Sequence, residues 1–414
     1  MLQSWLPVPS DSDFSIHNLP FGIFSDERPA RAGLAIGEWV VDLAAAYALN
    51  MFPHYPEAGS AFRKPVLNDL IALGRGFSEY VRKIVQAALC DRESALNQFS
   101  DHLLVPLKSV QMHMPLKVGN YTDFYSSEEH AFSVGQMFRP ENPLFPNWKH
   151  LPVAYHGRAS SIVVSGTPVP RPWGQTGQPG GVPAFKPTNA LDYELELAFV
   201  IGKDSAIGRP VAVAEAEDYI FGLLLFNDWS ARDIQRWEYQ PLGPFTSKNF
   251  ASSVSPWIVT WEALQHFRVP APPQEPEPLP YLAHSPRQNF DLSLSVSIKP
   301  NNGEEFLVCK THSRNIYWTA AQQIAHHTVT GCNLQPGDLL ATGTISGREI
   351  NQKGCLLEAT LNGTQPVMLK NGVERRFLED HDEVIMRGFG QKGDIRVGFG
   401  GLRGQVLPAL HSFP

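Results

Sequence analysis

The sequence predicts a mainly β protein with some helix (α+β class), and three observations carry that expectation. Proline (35 residues) and tryptophan (9) are abundant, which suits strands and long ordered loops better than helical bundles. Short apolar or alternating runs bounded by turn residues recur along the chain. Hydrophobic residues make up 43% of the chain and charged residues only 18%, a balance that packs a core instead of remaining disordered. A length of 414 residues suggests roughly two to three domains. It also allows a core large enough to need no disulfide or structural metal.

Residues 1–115 read as a small accessory domain. Gly22–Phe24, Arg31–Ile36 and Glu38–Leu43 predict short strands, and Pro65–Gln98 predicts one amphipathic helical stretch with Leu67, Leu70, Ile71, Val81, Ile84 and Val85 at helical spacing. Few residues there suit chemistry, and a short barrel with helices is expected. Residues 116–414 form the second unit, with strands expected at Leu191–Ile201, Tyr219–Asn227, Phe290–Ile298, Asp338–Ala341, Leu356–Leu361 and Glu383–Met386. Thr319–Val329 predicts a helix, with Thr319 as N-cap, Gln322 three residues on and Gly331 just past its end. The seven prolines of Pro270–Pro286 predict a surface excursion between two strands that can pair, rather than an interdomain linker.

Composition also excludes several classes. Lys and Arg total 34 against 41 Asp and Glu, a net charge of −7, and no Lys/Arg run exists to track phosphates, so no nucleic-acid partner is expected. Cys90, Cys309, Cys332 and Cys355 include no Cys-x-x-Cys pair, against zinc ribbons and redox motifs. The first 25 residues lack the basic start and apolar segment of a signal peptide. The longest apolar stretch, Tyr219–Phe226, is far short of the roughly 20 residues a membrane span requires. A cytoplasmic protein with reduced thiols and no membrane partner is the expectation.

The sharpest chemical feature is Asp192-Tyr-Glu194-Leu-Glu196. Strand alternation would put all three carboxylates on one face, where they need water, arginines or a hard cation such as Ca²⁺, Mg²⁺ or Mn²⁺. A solvated edge-strand face is the plain alternative. Asp228 ends the next apolar run and would either cap a helix or serve the site. The helix from about Ser230 carries Arg232, Gln235 and Tyr239 on one face, which a solvated surface also explains. In Asp123–His130, Ser126 with Glu129 matches a capping box. His130 then falls in a first turn, where the positive dipole end disfavours added positive charge and suits a general base. A lone histidine is more often structural, so that role needs a partner.

Three further features carry less. Gly388-Phe-Gly390-Gln-Lys-Gly393 precedes a strand-like segment instead of a helix, which predicts a hairpin turn and not a dinucleotide site. His326 and His327 point about 100° apart on a helix and read as packing or interface residues. Thr342–Gly347 is a small polar loop offering hydroxyl and backbone donors, or an ordinary glycine turn.

Asp11–Phe14 with Asn18–Gly22, then Gly119–Ser127, Leu144–Trp148, Tyr155–Pro168, Asn227–Gln235, Trp237–Tyr239, Leu242–Phe245 and Pro336–Gly347 follow one another along nearly the whole chain. In these motifs and their order the sequence resembles the fumarylacetoacetate hydrolase family in its full-length, two-domain form. The resemblance implies a small N-terminal SH3-like barrel over residues 1–115, a C-terminal β-roll over 116–414, and a homodimer. It implies metal-dependent hydrolysis of a carbon–carbon bond in a small diketo acid. Fumarylacetoacetate would give fumarate and acetoacetate, the last step of tyrosine and phenylalanine catabolism; the alternative is a related hydrolase or decarboxylase acting on another diketo acid such as an acylpyruvate.

The same resemblance assigns residues. Asp123, Glu194, Glu196 and Asp228 match calcium ligands, and Asp228, Lys248 and Ser252 match positions around a nearby magnesium, with Mn²⁺ as a substitute. Ser252 stands where the animal enzymes usually carry threonine. His130 matches the general base and Glu358 the carboxylate that orients it. Arg232, Gln235 and Lys248 match groups that steady developing negative charge, while Tyr125, Arg139, Gln235, Tyr239 and Thr344 match substrate contacts. A metal-binding protein without catalysis and a carboxylate-pair glycosidase are the readings from other classes. Neither gives His130 and Glu358 a purpose.

Overall fold

The computed structural model describes residues 2–178 and 180–410, and these are mostly sheet with some helix. The main sheet contains β1 (Phe21–Ser25), β2 (Arg31–Ile36), β3 (Trp39–Asp42), β4 (Leu104–Pro106), β5 (Tyr121–Phe124), β6 (Ala154–His156), β7 (Leu195–Ile201), β8 (Ile220–Asp228), β9 (Ser252–Val254), β10 (Trp257–Thr260) and β11 (Leu339–Ala341). Its order is β4-β3-β2-β1-β10-β8-β7-β11-β5-β6, and with side branches such as β9 beside β8 it has 13 strands among the described residues. A second sheet of five strands runs Phe306–His312, Ser293–Lys299, Glu383–Lys392, Ile395–Leu407 and Val169–Pro170.

The central strands β7 and β8 are buried along their whole length because both their faces are covered. Leu195, Leu197, Phe199, Leu223 and Leu225 share a core with Leu294, Val296, Met386 and Phe399 of the second sheet. Their alternate neighbours Ala198, Val200, Leu224 and Phe226 share another with Phe77, Val81 and Val85 of helix α1 (Arg75–Cys90). The main sheet is therefore the middle of three layers. Four further helices matter below: α2 (Glu128–Phe138), α3 (Arg232–Glu238), α4 (Ala320–Thr328) and α5 (Leu356–Ala359).

The amino-terminal strands continue this same sheet. β1 pairs antiparallel with β10, Phe21 opposite Ile258 and Gly22 opposite Trp257. Gly22 allows that approach, since a Cβ there would fall 2.5 Å from the Trp257 ring.

Strictly patterned elements match the sequence reading. β2 has the expected bounds, α4 is N-capped by Thr319 with its capping box, and Arg268–Pro270 pairs with Gln288–Phe290 to close the proline-rich excursion. The Gly388–Gly393 motif lies in the hairpin of Glu383–Lys392 with Ile395–Leu407. Other expectations are corrected. Pro65–Gln98 is three helices, Asn68–Ala72, α1 and Ala95–Gln98, with a break at Gly74 (φ +87°). Phe290–Ile298 is interrupted, its main strand starting at Ser293. Leu191–Ile201 is also two pieces: Leu191–Asp192 pairs with Ser230–Ala231, and β7 resumes at Leu195. Leu356–Leu361 is not a strand, because the Leu356 and Leu357 N–H groups donate to Asp192 and start α5. A short apolar run does not by itself separate strand from buried helix. No helix among the described residues is long and apolar enough to cross a membrane.

Candidate active site

Three strands of the main sheet bring four acids together. Asp123 lies in β5, held between β11 (opposite Ala341) and β6 (opposite Tyr155). Glu196 is the second residue of β7, Asp228 the last of β8, and Glu194 sits in the break before β7, where its N–H donates to the Asn227 side chain (3.1 Å). Ligand-capable atoms of Asp123, Glu194, Glu196 and Asp228 all lie within 4.8 Å of one another, and all four residues are buried. The break matters, because continuous alternation would have added Asp192 to this group. Asp192 instead turns to Arg232 and α5. The solvated-face alternative falls with the burial of Glu194 and Glu196.

The polar atoms are partnered unequally. Lys248 Nζ donates to Glu194 (2.5 Å) and Asp228 (2.8 Å), and Asp228 also accepts from Tyr155 (2.7 Å) and Ser252 (3.0 Å). Arg232 Nη1 reaches Glu194 Oε1 at 2.7 Å. Burial opposes charge on Glu194, yet Lys248 and Arg232 outweigh it and hold its carboxyl below the ordinary range. Burial, reinforced by neighbouring carboxylates, drives Asp123 and Glu196 well above that range. Asp123 Oδ1 and Glu196 Oε1 are buried without a hydrogen-bond partner. Such orphaned oxygens are costly, and an all-oxygen donor set fits a hard divalent cation. The Lys248 ammonium has no lone pair, so its side chain neutralises the carboxylates and does not itself ligate a cation.

The histidine has its partner. His130 Nδ1 lies 2.6 Å from Glu358 Oε2, both side chains being buried. The N-cap of α2 is Ser127, whose hydroxyl accepts from the His130 N–H, so the cap is one residue later than the expected Ser126. Glu358 Oε2 also accepts from Ser346 Oγ (2.7 Å) and Cys355 Sγ (3.3 Å). Burial works against the charge on Glu358, but His130 and Ser346 together hold its carboxyl below the usual value.

Cage and dyad open on one cavity of about 420 Å³, whose wall includes Asp123, Tyr125, His130, Arg139, Glu194, Arg232, Gln235, Tyr239, Lys248 and Thr344. Tyr125 stands edge-on to His130, ring centroids 5.2 Å apart. Thr344 Oγ1, Arg139 Nε and Arg232 Nη2 are buried without hydrogen-bond partners, which leaves donors available to a ligand. Arg139 lies over the Phe145 ring at 3.9 Å, and Tyr239 is the exposed member of the set. The donor face of α3 is therefore no solvated surface at Arg232, which is 5% exposed.

Some contributors carried no local signal. Tyr155 on Asp228 and Ser346 and Cys355 on Glu358 have no motif of their own that announces these roles, although Ser346 lies in the polar Thr342–Gly347 loop. Glu238 was also missed. Its carboxylate accepts from the Phe245, Thr246 and Ser247 N–H groups (2.8, 3.1 and 2.8 Å), which fixes the turn carrying Lys248. His326 and His327 bond Tyr281 and Thr122, as packing residues do.

A mostly-β fold that gathers a buried carboxylate cage and a histidine–carboxylate dyad on one cavity has the make-up of a metal-assisted hydrolase. Comparison with known proteins narrows this. Residues 17–115 match the family description "Fumarylacetoacetase N-terminal" and residues 120–406 match "Fumarylacetoacetate (FAA) hydrolase C-terminal". The chain is 48% identical to fumarylacetoacetase of Homo sapiens, covering 98% of this chain and 99% of that one. It is 48% identical to fumarylacetoacetase of Arabidopsis thaliana, with 99% of both covered. In fold it is similar to the solved fumarylacetoacetate hydrolase of psychrophilic Exiguobacterium antarcticum (TM-score 0.55, 19% identity, 94% and 99% covered). The chain belongs to the fumarylacetoacetate hydrolase family.

Proposed function

We propose that this protein hydrolyses the carbon–carbon bond of fumarylacetoacetate to fumarate and acetoacetate, the last step of tyrosine and phenylalanine catabolism. The observation that carries the reading is the convergence of the acid cage, the His130–Glu358 dyad and unpaired cationic donors on one cavity. Full-length similarity to fumarylacetoacetases supports the substrate.

Asp123, Glu194, Glu196 and Asp228 would hold a divalent cation, Ca²⁺ in our reading, with Mg²⁺ near Asp228, Ser252 and Lys248. Such an ion supplies Lewis-acid polarisation of a carbonyl. His130, held through Nδ1 by Glu358, presents Nε2 to take a proton from the attacking water, and Glu358 stabilises the imidazolium that results. Arg232, Gln235 and Lys248 steady the charge that develops on the substrate oxygens. Arg139 offers a planar fork to a substrate carboxylate, and Tyr125, Gln235, Tyr239 and Thr344 complete the pocket. Once the bond breaks, the imidazolium can return its proton to the leaving carbanion.

The finer architecture belongs to the same reading: an SH3-like barrel within residues 1–115, a β-roll within 116–414, and a cytoplasmic homodimer. Mass measurement in solution and cell fractionation test the last two.

The deciding assay is turnover of fumarylacetoacetate by purified protein, as isolated, after chelation, and after Ca²⁺ or Mg²⁺ is restored. Equal fumarate and acetoacetate, lost on chelation and regained with metal, is the expected result. No products from folded, metal-loaded protein would overturn the substrate and turn the search to acylpyruvates.

A further inference from the structure

We propose that Asp192, which belongs to neither the acid cage nor the dyad, is the positioning residue that locks Arg232 and the Glu358 helix into one rigid unit. The proposal rests on the reading of the site given above.

Asp192 is fully buried, and each of its carboxylate oxygens accepts two hydrogen bonds. Oδ2 takes Arg232 Nε (2.9 Å) and the Leu357 N–H (2.8 Å); Oδ1 takes the Leu356 N–H (2.8 Å) and its neighbour's, Tyr193 (2.9 Å). One side chain thus grips the guanidinium and the first turn of α5, where Glu358 is mounted. The short pairing of Leu191–Asp192 with Ser230–Ala231 sets Asp192 beside the start of the arginine's own helix.

The consequence for Arg232 follows from counting donors. A guanidinium has five N–H groups. Nε is committed to Asp192, and Nη1 to Glu194 (2.7 Å) and Gln235 (3.3 Å). Nη2 is buried without a hydrogen-bond partner on a residue of the cavity wall. Asp192 therefore fixes the plane of the guanidinium so that Nη2 is held in place before a ligand arrives, which is what electrostatic preorganisation requires. The same carboxylate fixes the base of α5, so a shift of the arginine would be passed on to the partner of His130.

Asp192→Asn keeps the size but turns an NH₂ against two donors, whichever way the amide is flipped. Expected is a fall in kcat of about 100-fold, the scale of losing one preorganised donor. KM and the Ca²⁺ titration should stay within about threefold of the parent, since Asp192 holds neither substrate nor metal. Asp192→Asn/Arg232→Gln should be no slower than Arg232→Gln alone, because both changes act through one group. A purely structural cap would lower stability without that non-additivity. Retention of most of kcat in Asp192→Asn, or full multiplication of the two losses, overturns the proposal.

A crystal structure of the Ca²⁺-loaded Asp192→Asn protein decides the point without turnover. A displaced Arg232 guanidinium supports positioning, and an unmoved one refutes it. Inactivity of the parent protein toward fumarylacetoacetate would thus sink the substrate reading and leave this one to be judged on geometry. Should Asp192→Asn fail to fold, Arg232→Ala carries the test. Calorimetry should show saturable binding of methylguanidinium beside the intact Asp192, and no binding overturns the assignment.

Discussion

His130 Nδ1 and Glu358 Oε2 meet at 2.6 Å across 228 positions of sequence, each side chain in the first turn of its own helix. Two helix starts thus face one another with an imidazole on one and a carboxylate on the other. The carboxylate offsets the positive end of the histidine's helix and fixes which ring nitrogen faces the cavity. Removal of either group should therefore cost turnover and spare the cage. His130→Ala is expected to lose about 100- to 10,000-fold in kcat, with Ca²⁺ affinity by calorimetry unchanged. Glu358→Gln should fall in the same direction by less. Near-normal turnover in His130→Ala would remove it as the base.

Glu196 makes an opposite pair of predictions. Its Oε1 is an orphan and its neighbours are acids, so in metal-free protein its charge is a burden. Glu196→Gln should leave the metal-free melting temperature unchanged or raised, and should largely abolish the rise that Ca²⁺ produces in the parent. Thermal scans with and without Ca²⁺ check both halves. A variant still stabilised like its parent would show that Glu196 holds no ion.

Gly343 admits no side chain. Its φ is +76°, a Cβ would stand 2.1 Å from the Phe124 carbonyl, and its N–H donates to Glu196 at 3.2 Å. Gly343→Ala should lose about 1–3 kcal/mol in urea unfolding. It should also weaken Ca²⁺ binding, since β5 carries Asp123. Destabilisation without any change in Ca²⁺ affinity would separate this turn from the cage.

His327 gives a pH signature. Burial first, then His156 and His326, holds its imidazole down to about 4, against 6.5 when exposed. The folded state therefore resists a proton that the unfolded chain accepts. The sign follows: stability is full above pH 6.5, declines as pH falls towards 4, and then levels. Replacing His327 by Gln should flatten the profile in that window relative to the parent. Parallel urea curves at pH 7.5, 5.5 and 4.5 measure it, and identical slopes would contradict the assignment.

What the sequence disclosed depended on the range over which its signals act. β2, β8 and the capped helix α4 are set by local pattern and emerged with near-correct bounds. The acids Glu194, Glu196 and Asp228 stood out because charge in or beside an apolar strand is costly. Period-two alternation wrongly joined Asp192 to them, since nothing local marks the break at Tyr193, itself an apolar side chain in the pattern. The local pattern around Glu358 predicts a strand, and only family resemblance links it to His130. The cap that makes α5 a helix is the distant Asp192, and the hydroxyl on Asp228 comes from Tyr155. The join of β1 to β10 was equally hidden, because a strand's pattern tells which face is buried and not which partner lies alongside.

That join has a consequence for how the protein is made. On the ribosome, Phe21 and Gly22 emerge long before Ile258 and Trp257, the residues they pair with. Until then this stretch of β1, paired with β2 on one side, is an open edge on the other, with the backbone groups that face β10 unmet and its apolar side chains at hand for any other strand. A chain terminated anywhere before β10 would keep that edge permanently. Chaperone demand should therefore fall on the early part of the polypeptide and end only late in its synthesis, and premature stop codons should yield aggregates instead of a free amino-terminal fragment.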